Sequence, residues 1–589
     1  MDIKSNLSDK YFTLYFYMVI FLLPLAFIQR CEDAYYLPKF VLLAGAVQFF
    51  IPALFNLKEL KLSLPDYAAF IFLVLFTAGV IFAPYKIRAL MRLAEWGGVF
   101  AVFFYARHFL NPRDIRRAVF LMICSSFLVA LYALLQALNF DLSGWITDFS
   151  GRAFSSLGNP DFLGGFLVIT APLAVYLSRE MNKDKISVFL FVFLSITLFL
   201  SQTRSSIAAY AVVFILMLFL FFGYFRKNLI YLLAGLVIAL LMITATGRGH
   251  GLISRFSAAS ASANPDLNGR FDMWKTGLNM IKTMPFTGTG AGSVKNVYCL
   301  YANAAPYMET DHLHNDFIEI AAESGVFVWL AFMVFLISVF YGLIRKRDTL
   351  ARIAAISLTA MCVQAVFNFP FFIIDTKLYF FAIAGIGLNK SAESKTGRHQ
   401  AFAAGLIFMI MSVISLRMLA GSMYLNAGIN SMSAKNTPAI VYNLERAERF
   451  YFDAKPYYYF SSFLSGLGRP ADAVPSSKKY MADSPCSKNG FMQYSINMAE
   501  AGNMQEAFTA MDKFLKMYPA DKDALNNKGK MLYMAGRAAE ALEIYRHLAA
   551  LYPNDETAHN NLYGIYFNGK MYKEAETEKE RWGKRQKGN

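Results

Sequence analysis

The sequence predicts an all-α membrane protein, in which a polytopic transmembrane helical bundle of about 12–13 spans precedes a C-terminal α-solenoid. Three observations lead to this fold class. The 589 residues are 56% hydrophobic, and the mean hydropathy of +0.37 is too high for an ordinary soluble domain. Apolar windows long enough to cross a bilayer recur as far as residue 421. Beyond residue 430 the composition changes to mixed charge with regularly spaced alanines.

The apolar windows define the predicted spans, because about 19–20 apolar residues are enough to cross the hydrocarbon core. The fourth window carries Arg92 and Glu95, and the twelfth carries Asp375 and Lys377, which makes these two the weakest windows. The predicted spans lie at 11–29, 37–55, 67–83, 89–106, 118–138, 161–177, 186–200, 205–223, 228–246, 317–343, 351–369, 372–388 and 401–421.

The distribution of basic residues predicts the topology. The net charge of +16 is compatible with nucleic-acid binding, but lysine and arginine also accumulate on the cytoplasmic side of membrane proteins. With a cytoplasmic N-terminus, every basic loop falls on that side, so we expect no nucleic-acid partner. The first apolar run has no small-residue cleavage site after it and is expected to be a retained anchor. The long loop 247–316 and everything after residue 421 are then extracytoplasmic. The basic loops are 107–117, 178–185, 225–227, 344–348 and 389–399.

The cysteines predict no disulfide framework. The chain has five cysteines and no CxxC pair. Cys124 and Cys362 lie within predicted spans and are expected to be buried. Cys31 and Cys299 are both predicted to be extracytoplasmic, so a bond between these two stays open.

A period of 34 residues marks the C-terminal part. GRPADA, GNMQEA and GRAAEA begin at 468, 502 and 536, and Pro485, Pro519 and Pro553 keep the same spacing. Ala575 continues the alanine register, although Gly569 comes one residue early. This pattern resembles the tetratricopeptide repeat, in which small residues let paired helices pack closely and proline ends the second helix.

The repeat pattern predicts two domains, a membrane domain over 1–422 and a repeat domain over 430–589. Within the second we expect about three full repeats, a degenerate one near 435–453, and a closing helix at 570–583. The resemblance implies a face that binds a protein or peptide, so a protein partner is expected there.

Polar segments cluster at the predicted outer ends of the spans. They are GRAFSSLGNPDFLGGF (151–166), SQTRSS (201–206), NGRFDMWKTGLNMIKTMPFTGTGAG (268–292) and DHLHND (311–316). Their shared side of the membrane predicts one extracytoplasmic site.

Two arginines in these segments are candidate anion ligands. Apolar residues at 271, 274, 278 and 281 predict one stripe of a surface helix that ends at Pro285 and has Arg270 at its N-terminus. Free backbone N–H groups and the guanidinium would both favour an anion there. Arg204 lies in an outer turn, where a positive charge runs against the usual trend. A surface ion pair for Arg270, and a snorkelling side chain for Arg204, are the alternatives. The GTGAG run is more typical of a turn than of a phosphate cradle.

The segment DHLHND brings titratable groups together. His312 and His314 are two residues apart, so on a helix they would face apart, and they lack the spacing of a helical zinc pair. We therefore expect no metal at this site, and assign His314 to acid, base or hydrogen-bonding work at a wet interface. Asp316 and Glu319 are expected to cap and charge the next helix. The alternatives are a metal site that also uses Asp311, Asp316 and Glu319, and a purely structural His314.

These segments together resemble the O-antigen ligase and O-antigen polymerase superfamily over roughly residues 10–420. His314-Asn315 is followed by Glu323 and Gly325 at the family spacing. The segment GNPDF, with Asn159, resembles the family's Gly-Asn-Pro-Asn, and SQTRSS resembles its Ser-x-Ser-Arg turn.

The other matches and the departures belong to the same resemblance. The helix with Arg270 and Trp274 resembles the family's Arg-x-x-x-Trp segment, and VFNFPF (366–371) resembles a phenylalanine-rich segment. Asp161 and Thr203 stand where asparagine and serine are usual. Val328 departs from the small residue or tyrosine of the ligase signature, which favours a relative over a true lipopolysaccharide ligase.

The resemblance implies a function. Such enzymes move a glycan from an undecaprenyl-diphosphate carrier to lipid A–core, a growing polysaccharide or a protein, at the outer face of the bacterial inner membrane, without metal or other cofactor. Arg204 and Arg270 would bind the diphosphate, with Arg152 as a third basic contact. His314 would serve the acceptor hydroxyl or the phosphate, and transfer would invert the anomeric centre. The supporting residues would be Asn159, Trp274, Asn315 and Glu323.

Two other classes of function stay open. A polysaccharide transporter or flippase usually shows repeated bundles with polar groups near mid-membrane, and neither is visible here. A membrane-anchored scaffold for the repeats is the second. The sequence does not indicate which of the three acceptors is used.

Overall fold

The fold is helical throughout the described part of the chain. A computed structural model describes residues 3–55, 60–141, 149, 151–245, 265–302, 310–390 and 398–586. Within these ranges the regular elements are helices, and no strand occurs among them. The predicted all-α class is therefore confirmed. Residues 246–264 and 303–309 of the predicted outer loop lie outside the described ranges.

The chain forms two compact units. The first contains Met1–Val294 and His312–Asn426, and the second contains Lys295–Asp311 and Ala427–Asn589. One segment of the predicted outer loop thus belongs to the unit that contains the repeats.

The first unit contains the apolar helices together with more polar ones such as Asp316–Ser324. Their bounds are Ile3–Leu22, Tyr36–Gly45, Phe50–Phe55, Leu64–Phe82, Lys86–His108, Pro112–Ala137, Pro160–Thr170, Ala174–Met181, Asp184–Leu200, Arg204–Leu220, Phe222–Lys227, Leu229–Ala245, Pro265–Thr283, Asp316–Ser324, Val326–Lys346, Thr349–Ala365 and Ile374–Gly387. The helix Arg398–Ser433 begins in the first unit and continues into the second. The helix Val294–Tyr301 begins at Val294, which is the last residue of the first unit before Lys295.

Helix length and composition identify a multi-pass membrane protein. Among the described residues, 6 helices are long and apolar enough to cross a membrane. The larger number of spans stays a prediction. The long helices are Leu64–Phe82, Lys86–His108, Pro112–Ala137, Pro160–Met181, Val326–Lys346 and Phe408–Ser433, and shorter apolar helices cover Lys10–Leu25, Tyr36–Pro52, Arg204–Leu220 and Thr349–Ala365.

The charged residues of the two weakest windows are paired inside the unit. Glu95 binds Lys377 at 2.5 Å and Arg92 at 3.1 Å. Asp375, two residues before Lys377, binds Lys39 at 2.8 Å. Since an unpaired buried charge is costly, this pairing allows charged windows to pack within an apolar bundle.

The predicted tenth span is broken at Gly325, which corrects the window 317–343. Gly325 has φ +85°, and a Cβ there would lie 2.1 Å from the carbonyl oxygen of Phe286. The Val326 N–H donates to the Pro285 carbonyl at 2.8 Å. The close approach of two backbones requires glycine at this point. It separates the polar helix Asp316–Ser324 from the span Val326–Lys346.

The second unit is a series of helical hairpins. The helices are Thr437–Phe450, Lys455–Gly466, Pro470–Asp483, Lys488–Glu500, Met504–Met517, Lys522–Met534, Ala538–Leu551, Glu556–Asn568 and Tyr572–Gln586. Successive pairs follow the predicted spacing, and the closing helix begins two residues later than predicted and extends to Gln586.

The 34-residue register has a structural cause. Ala473, Ala507 and Ala541 are fully buried, and Ala575 is 2% exposed, so the alanine position is the close contact of each hairpin. The turn glycines 468, 502 and 536 have φ of +70°, +88° and +76°. At the same phase in the last hairpin Lys570 takes φ +60°. This accounts for the early Gly569, because the left-handed position itself is occupied by lysine.

A disulfide joins Cys299 to Cys486 within the second unit, across 187 residues. The expectation of no disulfide framework was wrong, and the open pairing of Cys299 with Cys31 is excluded, since Cys31 is a free buried thiol. The Asn296 side chain donates to the Asp483 carbonyl and reinforces the same contact. The spacing of cysteines in the sequence could not predict this bond, because the packing of two distant segments brings Cys299 and Cys486 together.

Candidate active site

The segment GNPDF begins a helix and contributes an acid. Asn159 is the N-cap of Pro160–Thr170 and accepts a hydrogen bond from the Asp161 N–H at 2.8 Å. Proline at the first helical position needs no N–H partner. Asn159 therefore fixes the start of the helix, which places Asp161 in its first turn.

Asp161 joins two of the predicted segments. Arg152 Nη2 donates to Asp161 Oδ1 at 2.6 Å and to the Thr203 hydroxyl at 3.0 Å, while its Nε donates to the Ser201 carbonyl at 2.9 Å. The Thr203 hydroxyl also lies 3.0 Å from Asp161 Oδ1. Arg152 is thus an ion-paired clamp on the 201–203 turn, and not a free basic group.

Arg204 follows this clamped turn directly. It is the first residue of the helix Arg204–Leu220, where backbone N–H groups lack intrahelical acceptors. Its Nε is buried and has no hydrogen-bond partner within the described residues. The guanidinium and the helix N-terminus together favour an anion.

The segment DHLHND is held by one carboxylate and one cap. Glu319 Oε1 lies 2.7 Å from His312 Nδ1, and Glu319 Oε2 accepts from the Leu313 N–H at 2.6 Å. Asn315 caps the helix by accepting from the Ile318 N–H at 3.0 Å. Asp316 instead accepts from the Phe371 N–H at 2.9 Å. The predicted capping by Asp316 and Glu319 was therefore wrong, since Asn315 is the cap, but both acids lie in the first turn of the helix as predicted.

Both histidines contact one phenylalanine. His312 stacks on Phe369 at a centroid distance of 4.1 Å, and His314 meets the same ring edge-on at 4.9 Å. His314 has φ +53°, so the two side chains do not face apart as a helix would require. Phe162 meets the same Phe369 ring at 5.8 Å. Phe369 therefore joins the histidine segment to GNPDF.

His314 is uncharged at neutral pH. Burial, followed by the positive charge of Arg270 and by His312, lowers the pKa of His314 to about 4, whereas Glu319 and Asp161 oppose this shift. Its Nδ1 is buried and lacks a hydrogen-bond partner among the described residues. Arg270 and Asp161 are thus close enough to His314 to influence its charge.

The helix that carries Arg270 differs from its prediction. It spans Pro265–Thr283, so Arg270 lies in the second turn and not at the free N–H groups of the first. Two residues of the predicted apolar stripe lie at the surface, with Phe271 55% and Leu278 47% exposed. The side chain of Ile318 packs against Gly277, where a Cβ would come within 2.5 Å of Ile318 Cγ2. A small residue at this contact allows the helix to approach the segment DHLHND.

Trp274 lies one turn after Arg270. Its ring lies 6.2 Å from the ring of Phe367, and its Nε1 is buried without a hydrogen-bond partner in the part of the chain that the structure describes. An indole N–H in this state is a donor available to a ligand.

The glycine run is a turn held by Glu323. Glu323 Oε2 accepts from the Gly292 N–H at 2.8 Å, and Oε1 accepts from the Val294 N–H at 3.0 Å. Gly288, Gly290 and Gly292 all have positive φ. This agrees with the interpretation as a turn and assigns Glu323 to its support, since these N–H groups are occupied by protein.

Glu319 and Phe369 are the site residues that sequence reasoning did not identify. Glu319 was assigned to a helix cap, and Phe369 was one of several phenylalanines in a family-like segment. The only sequence feature that pointed to Glu319 was its position seven residues after His312. Among the described residues, no group of three or more His, Cys, Asp or Glu side chains could hold a metal ion.

Residues 189–333 match the family model described as O-antigen ligase. This segment of the chain is therefore similar to the O-antigen ligase family. The matched segment includes five of the candidate site residues, which are Arg204, Arg270, Trp274, His314 and Glu323. No curated protein matches the chain.

One solved structure that matches is a mutant of MamA. It is 17% identical, covers 28% of this chain and 96% of its own, and has a TM-score of 0.23. The family match supports a glycosyl-transferring, ligase-like membrane enzyme.

Proposed function

We propose that this O-antigen ligase-like protein transfers a glycan from an undecaprenyl-diphosphate carrier to an acceptor at the outer face of the bacterial inner membrane. One observation carries the proposal. Arg204 Nε, Trp274 Nε1 and His314 Nδ1 come from three separate segments, and all three are buried without a protein partner among the described residues. Because buried polar groups are almost always hydrogen-bonded, this set indicates a polar ligand.

The donor's diphosphate fits the positive groups. In the proposed reaction Arg204 and Arg270 bind the phosphate oxygens, and the N-terminus of the helix Arg204–Leu220 adds backbone donors. Charge neutralisation is needed as the bond between the anomeric carbon and the phosphate oxygen breaks, because the leaving diphosphate gains negative charge. Arg152 is already paired with Asp161, so we assign it to holding the turn that positions Arg204.

The proposed role of His314 is general base. An acceptor hydroxyl attacks the anomeric carbon, its proton passes to His314, and undecaprenyl diphosphate leaves from the opposite face with inversion. Before the donor binds, the pKa of about 4 keeps the His314 imidazole neutral, so it can accept this proton. A bound diphosphate adds negative charge beside Arg270 and raises that pKa, which strengthens the base once the donor is present.

The acceptor is lipid A–core, a growing polysaccharide or a protein. The repeat unit favours a protein acceptor or an assembly partner, because helical repeats present extended binding surfaces. Deleting the gene and identifying both the lipid-linked glycan that accumulates and the product that disappears would decide among these.

Transfer of a labelled lipid-linked glycan in vesicles tests the proposal. Removing one donor to a developing charge typically costs about 100- to 1000-fold in rate. We therefore expect Arg204→Ala, Arg270→Ala and His314→Ala to lose detectable transfer at normal protein levels. The lysine variants of both arginines should keep a small fraction, because lysine reproduces the charge without the guanidinium fork.

Asp272→Asn is the matched control for that assay. Asp272 lies on the same helix as Arg270, and its pair with Lys275 is 66% exposed on both sides, so its loss should change little. Near-normal transfer by Arg270→Ala or His314→Ala would reject the mechanism and lead to tests of lipid-linked glycan transport.

A further inference from the structure

Glu319 is a buried carboxylate whose two oxygens reach back to the loop before its own helix. It is 1% exposed. Its oxygens contact His312 Nδ1 at 2.7 Å and the Leu313 N–H at 2.6 Å. These partners are the two residues immediately before His314. A carboxylate with two charge-assisted hydrogen bonds fixes its partners more firmly than a neutral acceptor would.

The first contact reaches His314 through two rings. His312 stacks on Phe369 with an interplanar angle of 15°, and Phe369 meets the His314 ring at 78°. Holding His312 Nδ1 fixes the plane of the His312 ring, and this plane fixes the face that Phe369 presents to His314.

The second contact reaches His314 through the backbone. His314 has φ +53°, a conformation that a non-glycine residue adopts only where its surroundings hold it. The Leu313 N–H bond to Glu319 and the Asn315 cap lie on either side of this strained residue. The loop therefore keeps its left-handed turn because both neighbours are anchored to one helix end.

We infer that Glu319 is a positioning residue for glycan transfer, acting through His312, Phe369 and the Leu313 backbone to orient the His314 imidazole. This inference rests on the proposed function, because it assumes that His314 takes the acceptor proton. It gives His312 a defined role as the ring between Glu319 and Phe369.

The charge of Glu319 adds a measurable effect. The charged or titratable groups that influence His314 are Arg270 and His312, which lower its pKa, and Glu319 and Asp161, which raise it. Replacing Glu319 by glutamine removes a negative charge and lowers the pKa further. The acid-side limb of the pH–rate profile should therefore move to lower pH.

The test compares Glu319→Gln with the wild type in full-length protein, using labelled lipid-linked glycan in vesicles. We expect kcat to fall about 10- to 100-fold, as expected for losing a buried charge-assisted hydrogen bond. The donor KM should stay unchanged, because both arginines remain. The acid-side limb of the pH–rate profile should move to lower pH.

His312→Phe is the second variant. It keeps an aromatic ring against Phe369 and removes the bond to Glu319, while Glu319 keeps its bond to the Leu313 N–H, so kcat should fall by less than in Glu319→Gln, again at constant KM. It also keeps the question testable if Glu319→Gln does not fold. Wild-type kcat in either variant would overturn the inference. A second outcome would also overturn the inference. In it, the kcat of Glu319→Gln falls only in proportion to the amount of folded protein, and the acid-side limb of its pH–rate profile does not move.

The controls separate this inference from the proposed function. Active wild type with inactive Arg270→Ala supports glycan transfer whatever Glu319→Gln does. An inactive wild type with a competent donor rejects the proposed function itself.

Discussion

At the scale of the residue, the environment of His314 decides what the site can do. An imidazole near its ordinary pKa would be partly charged at neutral pH, and the buried position beside Arg270 keeps it neutral instead. Sequence reasoning selected His314 from its spacing to Asn315 and Gly325. It did not predict the direction of the pKa shift, since burial and the position of Arg270 depend on packing.

The first prediction concerns pH and stability. The pKa of His314 is about 4 in the folded protein against 6.5 for an ordinary histidine. The unfolded chain therefore binds more protons below about pH 6.5, and the folded state loses stability as the pH falls toward the folded value. We expect the Tm of the wild type to fall more between about pH 7 and about pH 5 than that of His314→Gln.

Thermal unfolding of the detergent-solubilised full chain measures this difference. The same change of Tm with pH in the wild type and in His314→Gln would contradict the lowered pKa of His314. Binding of an anionic donor raises the pKa of His314 in the proposed complex, so it should reduce the pH dependence of the wild type.

At the scale of the element, glycine positions decide where helices stop. Gly325 separates a polar helix from a span, and Gly468, Gly502 and Gly536 close the repeat turns. The sequence predicted the repeat turns from their period. It did not predict the break at Gly325, because an apolar run continues on both sides and the reason for the break is the backbone of Phe286.

The second prediction concerns the last turn of the repeats. Lys570 takes φ +60° where the other turns have glycine, so Lys570→Gly should stabilise the repeat unit by about 0.5–1 kcal/mol. Gly536→Ala should destabilise it by about 1 kcal/mol, because a Cβ there meets no atom within 4 Å and only the backbone conformation is penalised.

Urea unfolding of the full chain, followed by protease cleavage within the repeats, measures both changes. Equal midpoints for Lys570→Gly and the wild type would show that the left-handed lysine carries no strain.

At the scale of the whole molecule, one covalent bond bears on topology. Cys299 of the predicted outer loop and Cys486 of the repeats form a disulfide within the second unit, and such bonds persist in oxidising compartments. The proposed extracytoplasmic location of the loop and repeats is consistent with this bond. The sequence-based domain boundary near 422–430 stays a prediction.

The third prediction counts thiols. Of the five cysteines, Cys31, Cys124 and Cys362 are free and two are bonded. In protein denatured from cells, a maleimide–polyethylene glycol should add three tags before reduction and five after it. Cys299→Ser should leave Cys486 free and raise the number before reduction to four.

Reporter fusions after residues 260 and 440 test the same topology independently. Cytoplasmic reporter activity at either point, or five tags without reduction, would reject an extracytoplasmic site.

Features that repeat or persist along the chain could be predicted from its local pattern of residues. The all-α class, the apolar helices, the 34-residue register and the order of the polar segments follow from local periodicity and spacing. Helix formation and span length depend on neighbours within a few turns, so a linear pattern is sufficient to predict them.

Contacts between groups far apart in the sequence, in contrast, depend on how the helices pack. Four sets of contacts join residues 6 to 187 positions apart. They are the pairing of Arg152 with Asp161, the contact of both histidines with Phe369, the two bonds of Glu319 and the link from Cys299 to Cys486. Such contacts depend on how helices pack and where the backbone turns left-handed, and no periodic signal marks them. The fold class was therefore readable from the chain, whereas the geometry around His314 was fixed by packing.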